Sequence, residues 1–412
     1  MTEPIDLTSY LLGERSELRP LIEAIADAND DRHRERAAVE YLLVLAAARC
    51  AARGEPAEEA VMAQVRSRYF RVLGRDDTPH GRILQELHSS LTEGSPAALV
   101  TALKLLGLHH RKLGAFRQAR AAFAVSVEVA GILDDAIEQL NALFWLGVME
   151  RYLGDLDTAE QVHRQQLEKA RRAGSRGQAV LAQENLGLVS LRRGQVAEAR
   201  RQVMEALLEA RDLMDNELEG YCYHSLLLVE TAAGRPGEAA VCGWEAYRRY
   251  ESCDQRMRAL QDCAAIFYET GLLDAARAAY EIVLSSTDDA ASRVRARTGL
   301  ADVAAASGDR TRFEAISREL LDDRQLRSLP YELASAYRTI GAGYALLDES
   351  HRARTYLEHS LDLAEKSGLQ AEADKARDSL ARLPAGAQPF RPLPTSGSDY
   401  QRLADVGKNI VT

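Results

Sequence analysis

The sequence predicts an all-α protein assembled as an array of antiparallel helix hairpins. The main observation is a period: Gly114, Gly154, Gly194 and Gly234 stand forty residues apart, in the phrases KLGAFRQAR, YLGDLDTAE, RRGQVAEAR and AAGRPGEAA. The phrase returns at Gly271, more weakly at Gly308, and at Asp348 with the glycine replaced. Self-similarity at such a period marks a repeat architecture, in which each unit buries its apolar face against its neighbours. The second observation is composition: 46% apolar and 28% charged residues suit a folded protein, and aromatics fall to 6%. Sparse aromatics fit helix contacts made mainly by Ala and Leu.

Residues 16 to 92 read as helices without clean register. RERAAVEYLLVLAAARCAARG (34–54) is apolar at helical spacing and ends on Gly54. PAEEAVMAQVRSRYFRVLG (56–74) opens on Pro56, which suits a first helical turn. GRILQELHSSL (81–91) is closed by Glu93-Gly94-Ser95-Pro96. Together, residues 1–96 are expected to form a divergent N-terminal helical cap, since end repeats must turn one polar face to solvent.

Seven hairpin units then cover about residues 97–367. Eight positions before each turn residue stand Leu106, Leu146, Leu186, Leu226, Cys263, Leu300 and Ile340. Seven before it stand Gly107, Gly147, Gly187, Leu227, Ala264, Ala301 and Gly341; five after it, Ala119, Ala159, Ala199, Ala239, Ala276, Phe313 and Ala353. A large apolar residue beside a small one, facing a small one on the next helix, lets two helices cross closely. The turn glycine ends the first helix in a left-handed conformation that satisfies its loose carbonyls. Leu227 and Phe313 break the small-residue columns, so units four and six are expected to pack differently. The 37-residue steps from Gly234 to Gly271 and on to Gly308 imply shorter helices there. A capping helix is expected over 368–383. After Leu383, PAGAQPFRPLPTSGSDYQRLADVGKNIVT loses helical periodicity, so 384–412 reads as a flexible tail. Its last stretch leaves open a short helix or a docked peptide, with Tyr400, Leu403, Val406, Ile410 and Val411 able to occupy the protein's own groove or a neighbouring molecule's. A terminus without function is the alternative.

These residues resemble the tetratricopeptide repeat family in its longer, roughly forty-residue form. The matching elements are Leu106-Gly107, Leu146-Gly147 and Leu186-Gly187, the turn glycine, and the downstream alanine. The resemblance implies a right-handed superhelical solenoid whose first helices line a concave groove. Three columns would then face that groove. Ten before the turn lie Lys104, Phe144, Glu184, His224, Gln261, Thr298 and Arg338; thirteen before it, Thr101, Asn141, Leu181, Tyr221, Arg258, Arg295 and Ser335. Three before it lie Arg111, Arg151, Leu191, Thr231, Tyr268, Ala305 and Ala345, with Tyr152 next to Arg151. Cations, aromatics and amides in one groove suit an extended or helical peptide, whereas ordinary exposed helix positions would look similar. Lys104, Arg111, Lys112, Arg151 and Arg192 concentrate toward its N-terminal half, favouring an anionic segment or a terminal carboxylate, with a charge run along a solvated face as the alternative. The family's carboxylate clamp is not expected, because Leu108, Val148 and Leu188 stand where it requires Asn.

Other function classes are disfavoured. The net charge of −10 argues against sequence-independent nucleic-acid binding, which needs a phosphate-neutralising surface. The five cysteines are odd in number and include no CxxC, which reads as reduced thiols. Neither a signal peptide nor a membrane span is evident, so a cytoplasmic location is expected. The chain contains no GxxxxGK[ST], GxSxG or HExxH, and no catalysis and no cofactor are expected. Nine histidines are scattered, and His109-His110 point about 100° apart on a helix, poor geometry for one metal. Asp134-Asp135, Asp288-Asp289 and Asp322-Asp323 fit helix capping. The expected function is a non-catalytic peptide- or protein-binding scaffold with a regulatory role. The alternative is a peptide- or ligand-sensing protein of the bacterial transcription-regulator type, although residues 1–96 show no recognition-helix pattern.

Overall fold

The computed structural model describes residues 18–28, 31–53, 62, 65, 78–133, 136–323, 326–367, 369–383 and 390–411. They contain nineteen α-helices and no strand, arranged as two compact units, 1–193 and 194–412. The first unit holds α1 (Arg19–Ala26), α2 (Asp31–Arg53), α3 (Pro79–Glu93), α4 (Pro96–Lys112), α5 (Phe116–Ile132), α6 (Ala136–Leu153), α7 (Leu156–Arg172) and α8 (Arg176–Arg192). The second holds α9 (Val196–Asp212), α10 (Asn216–Ala232), α11 (Pro236–Arg249), α12 (Cys253–Glu269), α13 (Leu273–Ser286), α14 (Ala290–Ala306), α15 (Arg310–Asp322), α16 (Pro330–Leu346), α17 (Ser350–Lys366), α18 (Gln370–Arg382) and α19 (Gly397–Val411). The expected helix over 56–74 lies outside the described residues except for Met62 and Val65.

Chain chemistry sets the helix ends. The turn residues Gly114, Gly154, Gly194, Gly234, Gly271 and Gly308 have φ between +70° and +84°, and Asp348 adopts +62° without being glycine. Each reversal lets the next amide reach back: Ala115 N–H donates to the His110 carbonyl at 2.9 Å, and Glu349 N–H to Tyr344 at 2.8 Å. These bonds close carbonyls the helix itself leaves open. Side-chain oxygens of Thr78, Asp155, Asp215, Asp289 and Asp309 accept amide hydrogens at the starts of α3, α7, α10, α14 and α15. Asp289 thus caps as its sequence position suggests, whereas Asp134 and Asp135 lie outside the described residues. The predicted shortening appears in the second helices α11 and α13, of 14 residues each against 17 for α5, α7 and α9. Helix α15, with 13, is short as well, although the step from Gly308 to Asp348 is again forty residues.

The small-residue columns have a specific steric role. Gly147 lies under the His163 ring, so that a Cβ there would sit 2.5 Å from Cε1 and Nε2. Unit four keeps the contact and exchanges its partners. Leu227 occupies the first-helix column, and Gly243 faces it from α11, where a Cβ would fall 2.5 Å from Leu227 Cδ1. Phe313 is accommodated likewise, fully buried against Gly343 of the following hairpin. Interiors are close-packed, so a large residue on one helix needs a gap opposite.

The core of the first unit gathers α1 to α5. On α2 every residue from Ala38 to Ala48 is buried, including Glu40. In the second unit Leu227, Leu260, Phe267, Ala279 and Val283 share one cluster with Leu403, Val406 and Ile410. Those last three belong to α19, which corrects the expectation of a flexible tail across 384–412. Their spacing of three and four residues makes an apolar stripe, and the helix packs it on α11 and α13. Arg402 pairs with Glu238, Leu393 N–H donates to the Glu269 carbonyl at 2.7 Å, and Phe390 lies 5.0 Å from the Tyr268 ring. The helix α19 seats mainly on second helices, whereas the segment before it lies against Tyr268, one of the first-helix residues expected to face the groove. Residues 384–389 lie outside the described residues. Among the described residues no helix is long and apolar enough to cross a membrane.

Candidate functional site

The structure divides the proposed groove residues into two groups. Most residues thirteen and ten before the turn connect the first helices of successive hairpins. Lys104 Nζ lies 3.4 Å from Glu138, and Asn141 Oδ1 accepts from Gln178 at 2.7 Å. In the second unit Gln255 donates to the Tyr221 hydroxyl, and His224 Nε2 lies 2.8 Å from Asp262. Arg295 reaches Gln261 at 3.4 Å and Glu332 at 3.3 Å, and Arg338 binds the buried Glu372 at 2.7 Å. Glu184 is buried and accepts from Asn185. Thr101 and Arg258 are exposed, while Leu181 and Leu191 are half-buried. These columns contribute to the scaffold, a role that variability along the sequence does not reveal.

A second group forms an aromatic and cationic strip on α4, α6 and α8, within the first unit. The Arg111 guanidinium lies 5.0 Å from the Trp145 ring, which Phe144 meets edge-on at 5.0 Å. Arg151 lies over Tyr152 at 5.4 Å, and Tyr152, 48% exposed, stacks on Phe116. Lys112 and Arg192 are exposed. The Nε of Arg151 is buried and meets no hydrogen-bond acceptor among the described residues. Burial pushes its guanidinium below the usual range, Tyr152 and Glu184 oppose that, and Arg192 adds to it. A desolvated cation short of acceptors favours an incoming anion.

Beneath the strip runs a polar relay the sequence did not reveal. The buried His163 Nδ1 pairs with Gln166 at 3.2 Å, Gln166 donates to Gln178 at 3.0 Å, and Gln178 donates to Asn141. Burial is the main reason the His163 imidazole falls to about 4, with Gln166 opposing and Arg151 reinforcing. It is therefore neutral near pH 7. The relay occupies the carbonyl oxygen of Asn141 and so fixes the orientation of its amide.

A different cluster joins α2, α3 and α4. His80 Nε2 lies 2.8 Å from one oxygen of Glu40, and His110 Nε2 lies 2.7 Å from the other. Burial alone would raise the Glu40 carboxyl, but His110 and His80 hold it well below the usual carboxylate range. His109 stacks on His80 at 5.0 Å, and burial, then His80 and His110, lower its imidazole to about 4. The divergence of His109 and His110 along α4 is real, yet His110 finds its partners on other helices. Residue spacing within α4 carries no signal for that.

No protein-family model and no curated protein matches the sequence. Solved structures do resemble it. A Rap protein complexed with competence and sporulation factor matches at a TM-score of 0.50 and 14% identity, covering 82% of this chain and 99% of that one. The apo quorum sensor NprR from B. thuringiensis gives 0.44 and 15%, covering 90% and 97%. Aspartyl phosphate phosphatase F from Bacillus subtilis gives 0.47 and 12%, covering 88% and 96%. At such identities the first likeness is one of fold alone, a repeated packing of helix hairpins.

Proposed function

We propose that this chain, tetratricopeptide-like in its repeats, is a non-catalytic regulatory receptor that binds a peptide or an extended protein segment carrying an anionic group. The observation that carries this reading is the buried Nε of Arg151, without an acceptor, on the same helix as the relay-held amide of Asn141 and about 15 Å along its axis, a span an extended peptide can cover. A carboxylate meeting the guanidinium would satisfy the first, and a peptide backbone suits an amide whose orientation is already fixed. Trp145, Phe144 and Tyr152 add apolar area that loses little conformational entropy on binding. The fold likeness agrees with this reading, since that Rap protein was captured with competence and sporulation factor. A cytoplasmic site of action accords with it.

The test is a synthetic peptide library presented with free and with amidated C-termini, read by fluorescence anisotropy. Hits should prefer the free carboxylate or acidic side chains, and Arg151→Gln should weaken them by about 10- to 100-fold, as expected when a charge-assisted hydrogen bond is lost. Peptides should be recovered unchanged. Hits bound as tightly by Arg151→Gln as by the wild type would remove the proposal.

A further inference from the structure

We infer that Glu40, His80 and His110 form a binding site for one divalent transition-metal ion of the zinc class. The three residues come from α2, α3 and α4, and their donor atoms all lie within 4.8 Å of one another. Zinc at about 2.0–2.1 Å from tetrahedrally placed donors holds them about 3.4 Å apart. The two histidine–carboxylate distances are 2.8 and 2.7 Å, so rotations that move donors by roughly an ångström produce that spacing. Both imidazoles present Nε2 to the centre, which leaves Nδ1 to carry the proton when Nε2 becomes a ligand. No proton need be released if each ring shifts its tautomer.

The ligand set selects the metal class. Two imidazole nitrogens and one carboxylate suit zinc, cobalt or iron(II), whereas calcium and magnesium prefer oxygen donors. The location provides a route in. The cluster borders a cavity of about 370 Å3 lined also by Leu21, Asp27, His33 and Gln118. Three protein ligands leave a fourth position facing that cavity, open to water or a small anion. Glu40 itself is 4% exposed, and a carboxylate withdrawn from water gains from a cation at its centre. The arrangement also ties α2, which carries the core of the first unit, to α3 and α4. An ion bound there would stiffen the N-terminal helices, next to Arg111 of the aromatic strip.

The experiment uses the full chain without a histidine tag, stripped with chelator and titrated with Zn2+ against a chromophoric competitor, then with Co2+ alone. One equivalent should bind with Kd below about 1 μM, a range that corresponds to roughly −8 kcal/mol. Co2+ should give visible absorption of four- or five-coordinate type, with intensity unlike that of the hexaaquo ion. Replacing a direct ligand should weaken binding by at least about 100-fold, more than the 10–100-fold typical of outer-shell changes. The variants are Glu40→Gln, which keeps the shape of the buried side chain, and His80→Asn on the more exposed ligand. Circular dichroism confirms that each is folded. The wild-type titration decides alone if the variants unfold: absence of a stoichiometric site, or an octahedral Co2+ spectrum, overturns the assignment. Folded variants that retain wild-type affinity overturn it equally.

Discussion

Replacing Gly147 by alanine tests the central packing rule of the repeats. An alanine Cβ would stand 2.5 Å from His163 Cε1 and Nε2, about an ångström inside ordinary van der Waals contact, which begins near 3.4–3.5 Å. The ring is fully buried and tied to Gln166, so it cannot swing into solvent. Overpacking of this size costs about 1–3 kcal/mol. Against it stands the helix preference of alanine over glycine, about 1 kcal/mol. The substitution should therefore destabilise the first unit by about 0–2 kcal/mol in the wild-type background. With His163→Ala already present, the clash is gone and the same change should stabilise by up to about 1 kcal/mol. The coupling between the two sites should thus reach about 1–3 kcal/mol. Urea denaturation followed at Trp145, two residues from the substitution, reads the local unit, and hydrogen exchange across α6 and α7 gives a second measure. Gly131→Ala is the control, because only the flexible end of Gln139 lies near it, at 3.1 Å. A Gly147→Ala change equally stabilising in both backgrounds would refute the reasoning.

Two further perturbations follow from the second unit. Leu403 is fully buried in the seat of α19, and Leu403→Ala should cost about 2–5 kcal/mol of docking. Faster hydrogen exchange and proteolysis confined to 390–411 would be the signature, and unaltered protection there would count against a docked tail. Burial pushes the half-buried Asp302 carboxyl up to about 7, with Arg338 opposing. The native state therefore holds a proton that the unfolded chain, with its carboxyl near 3.9, has already released. Stability should fall as pH rises from about 4 to about 7 and stay level above that. Asp302→Asn should be more stable than wild type at pH 8 and lack that decline; parallel pH profiles of urea midpoints would contradict the placement.

Legibility followed the range of the interaction. Turn glycines, helix caps and the close-packed column were readable because each acts within one hairpin, and repetition displayed them several times. Leu227 and Phe313 were recognisable as departures, but their remedies at Gly243 and Gly343 lie on other helices and needed coordinates. The apolar end of the tail was visible, yet its seat was not, because three side chains at helical spacing fit any complementary groove. Of the candidate binding residues, the sequence singled out Arg151, Tyr152 and Asn141 along with Arg295 and Arg338, which the fold uses to join neighbouring helices. Nothing in a column distinguishes a cation whose acceptor is supplied by the next hairpin from one left without an acceptor.

The sequence by itself determined the helical repeat, its turn positions and its small-against-large contacts, since these depend on local backbone preference and on a spacing that recurs. Only the tertiary structure decided where α19 docks, which polar residues are already paired, and that Glu40, His80 and His110 meet. Those outcomes depend on the distance between atoms on separate helices, and no periodicity along a chain encodes that distance.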